Sequence, residues 1–143
     1  MKIIKKILKL NIKGGSANPA PPIGPMLGAV GVNIMDFCNK FNKETINKNN
    51  EILSIRVKVY EDNSYDYIIK KQTIKNIVLN KLNLKKGSKE PNKKKIGSLT
   101  LDEIFDIAKY KLSDLNCFKI KSAVSMIIGT LKTLGVEIKN NEK

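Results

Sequence analysis

Leu8, Leu10 and Ile12 alternate with Lys9, Asn11 and Lys13, which is the period of a half-buried strand. Ile3, Ile4, Ile7 and Leu8 would also fit a helix, but the β-branched enrichment favours the strand. Val32, Met35, Phe37, Cys38 and Phe41 recur at near-helical spacing, with Asn33 placed to cap a helix over Val32–Lys43. Thr45–Glu51 is polar and turn-rich. Ile55, Val57 and Val59 then alternate with Ser54, Arg56 and Lys58, predicting a strand over Ile52–Tyr60. Glu61-Asp62-Asn63-Ser64 reads as a hairpin turn returning into a second strand, Tyr65–Ile69.

After a short polar stretch, 70–73, expected as a linker, the period becomes helical. Ile74, Ile77, Val78 and Leu82 mark one helix. Leu101, Ile104, Phe105, Ala108 and Leu112 mark a second, opened by the capping box Thr100-Leu101-Asp102-Glu103. Ile120, Ala123, Val124, Ile127, Leu131 and Leu134 mark a third, stopped by Gly135, after which Val136–Ile138 forms a short strand or tail. The expected fold class is therefore α+β in two small domains. Residues 1–69 form a sandwich-like α/β unit of three strands, a proline-rich segment and a helix, and residues 74–143 a three-helix domain.

Two stretches break these periods. Asn18–Gly31 (NPAPPIGPMLGAVG) holds Pro19, Pro21, Pro22 and Pro25, four of the five prolines. Each fixes its own φ and pushes the preceding residue towards extended geometry, so an ordinary helix is not expected to enter here. Such stiff, ring-bearing surface loses little entropy on docking; equally, it suits a plain structural connection. The second stretch, Lys85–Gly97 (KKGSKEPNKKKIG), has six lysines between positions 85 and 95 against one acid, Glu90. A charge run is usually a solvated face. Glycine and proline inside a short connection between helices instead hold lysines and backbone amides in one geometry, which suits phosphate and sugar oxygens.

Composition sharpens this reading. With 27 Lys+Arg against 13 Asp+Glu the net charge is +14, which favours a polyanionic partner. Arg56 is the one arginine; lysine, asparagine and isoleucine have A/T-rich codons, so part of this composition reflects the genome rather than the binding surface. No apolar run approaches the length of a membrane span, and the lysines at 5, 6 and 9 interrupt any secretory signal. There is no histidine, so no Ser/His/Asp set exists. Cys38 and Cys117 have no base to activate them, and Cys38 reads as a small buried hydrophobe. Gly24, Gly28 and Gly31 lack the lysine of a nucleotide-phosphate loop. No catalytic residue, metal site or cofactor is expected.

Pro21–Asn42 (PPIGPMLGAVGVNIMDFCNKFN) closely resembles the N-terminal domain of a bacterial-type family, that of the eleventh protein of the large ribosomal subunit. Gly87–Gly97 (GSKEPNKKKIG) and Gly129–Gly135 (GTLKTLG) resemble that family's other signatures, in the same order and at similar spacing. The resemblance implies a structural constituent of the large subunit, used on the ribosome of an A/T-rich bacterium or of an organelle (plastid or mitochondrion). Its pattern begins within a few residues of Met1, which implies that the product is used where it is made, unless a leader has been trimmed. It implies that the C-terminal domain grips folded large-subunit RNA of the GTPase-associated region at the stalk base, reading shape and sugar–phosphate surface. It also implies that the N-terminal domain faces translation factors. Stalk proteins and translational GTPases are the implied partners besides ribosomal RNA, with no membrane. Carried over by position, the RNA-binding candidates are Gly87, Ser88, Pro91, Asn92, Lys93, Lys95 and Gly97 in the loop. On the third helix they are Gly129, Thr130, Lys132 and Thr133. Pro21, Pro22 and Pro25 match prolines lining a cleft for factors and thiopeptide antibiotics.

This chain departs from the family in having Thr73-Ile74 where a proline pair is usual, and Ser125 and Ile128 where a basic and an acidic residue are common. The competing reading is a basic three-helix DNA-binding module. Its recognition helix would carry Arg, Asn or Gln for base edges, and Lys119–Leu134 has none.

Overall fold

Leu8, Leu10 and Ile12 are buried along β1 (Ile4–Lys13), and their exposed alternates settle the first segment as a strand. In this computed structural model, which describes residues 1–140, the chain divides into two compact units, Met1–Gln72 and Thr73 onward. The last three residues of the expected C-terminal domain, 141–143, lie outside the described residues.

In the first unit β1 pairs antiparallel with β2 (Ile52–Tyr60), and β2 with β3 (Tyr65–Gln72), in the order β1-β2-β3. Leu53, Ile55, Val57 and Val59 join the β1 residues in one core with α1 (Ile23–Gly28) and α2 (Ile34–Glu44). Phe37 is fully buried and meets the rings of Tyr65 and Tyr67 edge-on at centroid distances of 5.9 and 5.5 Å. Such pairs add about 0.5–1.5 kcal/mol each beyond the area they bury. The Asn33 side chain caps α2, accepting from the Asp36 amide at 3.2 Å.

Three expectations need correction here. The proline stretch does contain a short helix, α1, because Pro25 is its third residue. In the first turn a backbone N–H has no helical partner, so its absence costs nothing. Gly24 is required there, since a Cβ would strike the Pro19 carbonyl oxygen. Met35 is exposed rather than part of the apolar face. The segment expected as a linker is regular structure: Lys70–Gln72 extend β3 and Thr73 caps α3, its hydroxyl accepting from the Asn76 amide at 3.4 Å.

The second unit has α3 (Ile74–Lys81), α4 (Leu101–Lys111) and α5 (Ile120–Leu134) around Val78, Leu99, Ile104, Ile107, Ala123, Ile127 and Leu131. The capping box of α4 is complete: the Thr100 hydroxyl accepts from the Glu103 amide at 3.4 Å, and the Glu103 carboxylate accepts from the Thr100 amide at 3.0 Å. Ile107 faces the core where Phe105 was expected to. A description as three helices is incomplete. A 3-10 turn, Leu112–Asp114, follows α4, and β4 (Gly97–Thr100) pairs in parallel with β5 (Val136–Lys139), from Gly97↔Val136 to Thr100↔Lys139. Four residues reading Gly-Ser-Leu-Thr offer no apolar period, so only the partner strand makes them a strand.

Candidate nucleic-acid interface

Basic residues occur throughout both units; their concentration between positions 85 and 95 singles out the second. This loop is not a loose tail. The Ser88 amide donates to the Leu134 carbonyl at 3.0 Å, and the Ile96 amide to the Gly135 carbonyl at 2.9 Å, so both ends of the loop are tied to the end of α5. Inside it, the Ser88 hydroxyl donates to the Lys94 carbonyl at 2.7 Å and accepts from the Glu90 amide at 3.1 Å. The amides of Lys93 and Lys94 both donate to the Glu90 carbonyl, at 3.0 and 2.8 Å, making a single tight turn. The Lys95 ammonium donates to the Pro91 carbonyl at 2.9 Å, which braces the turn and leaves two N–H groups for other acceptors. Asn92, Lys93 and Lys94 stand exposed on its outside.

Gly135 makes this packing possible. It ends α5 with φ of 80°, the left-handed conformation that L side chains rarely adopt. A Cβ on it would sit 2.6 Å from the Ser88 Cβ and 3.1 Å from the Lys94 carbonyl oxygen. Gly87 and Gly97 also have packing roles, since a Cβ at Gly87 would press on Leu134 at 3.2 Å and one at Gly97 on Leu82 at 3.0 Å.

Gly129 is different. Among the described residues nothing lies within 4 Å of where its Cβ would stand, so none of their packing demands a glycine there. Gly129 costs about 1 kcal/mol relative to alanine in a helix interior, a cost that no packing among the described residues offsets. It lies six residues before Gly135, about 9 Å along the axis from the loop's attachment. Lys121, Ser125, Lys132 and Thr133 share its exposed side of α5. The hydroxyls of Ser125, Thr130 and Thr133 donate back to the carbonyls of Lys121, Met126 and Thr130 at 3.1, 3.2 and 2.6 Å. With their protons used, they present lone pairs outward, which suits a donor such as a ribose 2′-hydroxyl. The loop and the Gly129–Thr133 part of this face thus lie at the same, C-terminal end of α5.

In the first unit Pro21, Pro22 and Pro25 are all exposed, as required of a docking surface, and the Pro21–Pro22 peptide bond is cis. Cys38 is buried, and burial pushes its thiol pKa up, away from a reactive thiolate. The part played by Leu134 and Gly135 in holding the loop was not visible beforehand. The only local signal was a glycine after the last apolar residue of a helical period, which marks a helix end but not what packs on it.

Comparison with known proteins gives two family matches that together span most of the chain. Residues 8–65 match "Ribosomal protein L11, N-terminal domain" and residues 70–138 match "Ribosomal protein L11, RNA binding domain". The chain is 52% identical over 138 residues to the large ribosomal subunit protein uL11 of Karelsulcia muelleri (strain GWSS), covering 96% of this chain and 99% of that protein. It is 46% identical over 134 residues to the uL11 proteins of Azobacteroides pseudotrichonymphae and Porphyromonas gingivalis (strain ATCC 33277). These alignments cover 94% of this chain and 89% and 92% of the relatives.

Proposed function

This chain belongs to the ribosomal protein L11 family, and we propose its detailed function from that premise. The membership makes it a constituent of the large ribosomal subunit with an RNA-binding domain, a non-enzymatic component of translation whose place is the ribosome. Its relatives are bacterial. In the reading we favour, the second unit attaches the protein to folded large-subunit RNA of the GTPase-associated region at the stalk base. Lys93, Lys95 and the backbone amides of the clasped loop take phosphate and sugar oxygens. Gly129 lets the RNA surface approach the helix backbone, with Thr130, Lys132 and Thr133 beside it. The observation that carries this is the open space over Gly129 on the helix that also anchors the lysine loop. Folded RNA, rather than duplex DNA, fits a face with hydroxyl acceptors and no base-reading Arg, Asn or Gln.

The test divides the chain at Thr73, because each side has its own core. Residues 73–143 alone are expected to bind the cognate RNA fragment nearly as tightly as the whole chain, and residues 1–72 far more weakly. The reverse order in a binding titration would refute the assignment.

The first unit, on this reading, faces the translational GTPases and the stalk proteins, and its exposed prolines line the cleft that thiopeptides enter. Rigid apolar rings bind with a small ordering cost. Pro22→Ser and Pro25→Ser are expected to leave RNA affinity intact while weakening thiopeptide binding to the protein–RNA complex. Each also removes about 0.4–1 kcal/mol of unfolded-state restriction, which thermal melting measures separately. Unaltered thiopeptide binding in the folded double variant would leave the segment a structural turn.

A further inference from the structure

Phe118 is 100% exposed, while its neighbours Leu115, Cys117 and Ile120 pack against the core of the second unit. It is the second residue before α5, a position where an apolar side chain commonly folds back onto the fourth residue of the helix. Here that residue is Ala123, fully buried, and Phe118 does not cover it. An aromatic side chain left wholly in water forgoes the gain of burial. Its surroundings indicate what would cover it. Lys119 and Lys121 follow it closely in the chain and are exposed. Asp114, the nearest acid along the chain, is held by Lys111 at 3.2 Å and largely buried. Phe118 stands at the N-terminal end of α5, the helix whose exposed side continues through Ser122, Ser125 and Met126 to Gly129.

An aromatic ring with cations close by, at the edge of an RNA-binding surface, is an arrangement by which proteins hold a splayed nucleotide. The base stacks on the ring and the cations take the adjoining phosphates. We propose that Phe118 is a stacking platform for an unpaired base of the bound RNA, with Lys119 and Lys121 on the flanking phosphates. This contact lies about 25 Å along the helix from the lysine loop. It rests on the reading of α5 as an RNA-facing helix and extends that face to its far end. A protein partner is less well matched, because the other exposed residues next to the ring, Asn116, Lys119, Lys121 and Ser122, are all polar.

The test uses the full chain and the folded large-subunit RNA fragment, titrated over a series of salt concentrations. Phe118→Ala is expected to raise Kd about 5- to 150-fold. The log–log salt slope should stay unchanged, because no charge is removed. Phe118→Trp should retain affinity and Phe118→Leu should not, because stacking needs a π face and burial alone does not. Melting should be the same in all four proteins, since the ring is wholly exposed. Equal affinity of the alanine variant, or full affinity of the leucine variant, overturns the proposal while leaving the RNA reading standing. A wild-type chain that does not bind the fragment overturns the RNA reading and this proposal with it.

Discussion

Gly129→Val is expected to weaken RNA binding roughly 100-fold, or about 2.7 kcal/mol, while leaving the protein as stable as before. The stability half follows from the helix. Valine is a better helix former than glycine by about a few tenths of a kcal/mol, and its first atom meets nothing within 4 Å. The binding half follows from what that open space is for. Three added carbons would stand where RNA approaches the backbone, and neither the helix nor folded RNA can retreat without giving up neighbouring contacts at Lys132 and Thr133. The measurement is a melting curve alongside a titration. A variant with normal melting and normal affinity would remove Gly129 from the interface, and an unfolded one would mean that the space is filled by packing after all.

Gly135→Ala is expected to do the opposite and act through the fold. An L residue in the left-handed region costs about 1–2 kcal/mol. The methyl would also lie 2.6 Å from the Ser88 Cβ, an overlap that forces the loop or the helix end to move at about 1–3 kcal/mol more. For a unit of this size each kcal/mol lowers Tm by about 4–8 °C, so a fall of roughly 10–30 °C is expected. RNA affinity should fall as well, because the lysine loop loses its seat. Gly135→Asn separates the two costs: asparagine tolerates the backbone conformation but keeps the clash, so it should lie between wild type and alanine. A Tm within a few degrees of wild type for Gly135→Ala would show that the loop does not rest on this residue.

The sequence marks Gly135 as a helix stop and Gly129 as a helix-interior residue, but only the fold shows that one seats the loop and the other faces open space. What was legible beforehand was local. The Thr100–Glu103 capping box, the alternation of Leu8–Ile12 and Ile52–Tyr60, and the stripe Ala123–Leu134 each carry their signal within one element, where propensity and period suffice. What was hidden depends on residues far apart in the chain. The β4–β5 pair exists because residues 97–100 and 136–139 meet, and Gly87 and Gly97 are small because of Leu134 and Leu82. The α1 helix was masked because proline reads as a breaker, although in a first turn it breaks nothing. Phe105 and Ile107 were exchanged because both fit a helical stripe loosely, and only the direction of the neighbouring helices chooses between them. In the interface the loop was recognisable as a concentration of charge, whereas its attachment to α5 was not.

That attachment also fixes an order in time. A ribosome makes the chain from its N-terminus, so the lysines of 85–95 leave the exit tunnel well ahead of Leu134, Gly135 and β5, on which the loop closes. A nascent chain halted at residue 133 displays every loop lysine but has no carbonyl at 134 or 135 to receive the amides of Ser88 and Ile96. During synthesis the segment therefore has only the bonds within residues 88–95 and lacks the two ties that seat it on α5. The shape of the site is completed by the last helical turn to emerge, and selective binding cannot begin before then.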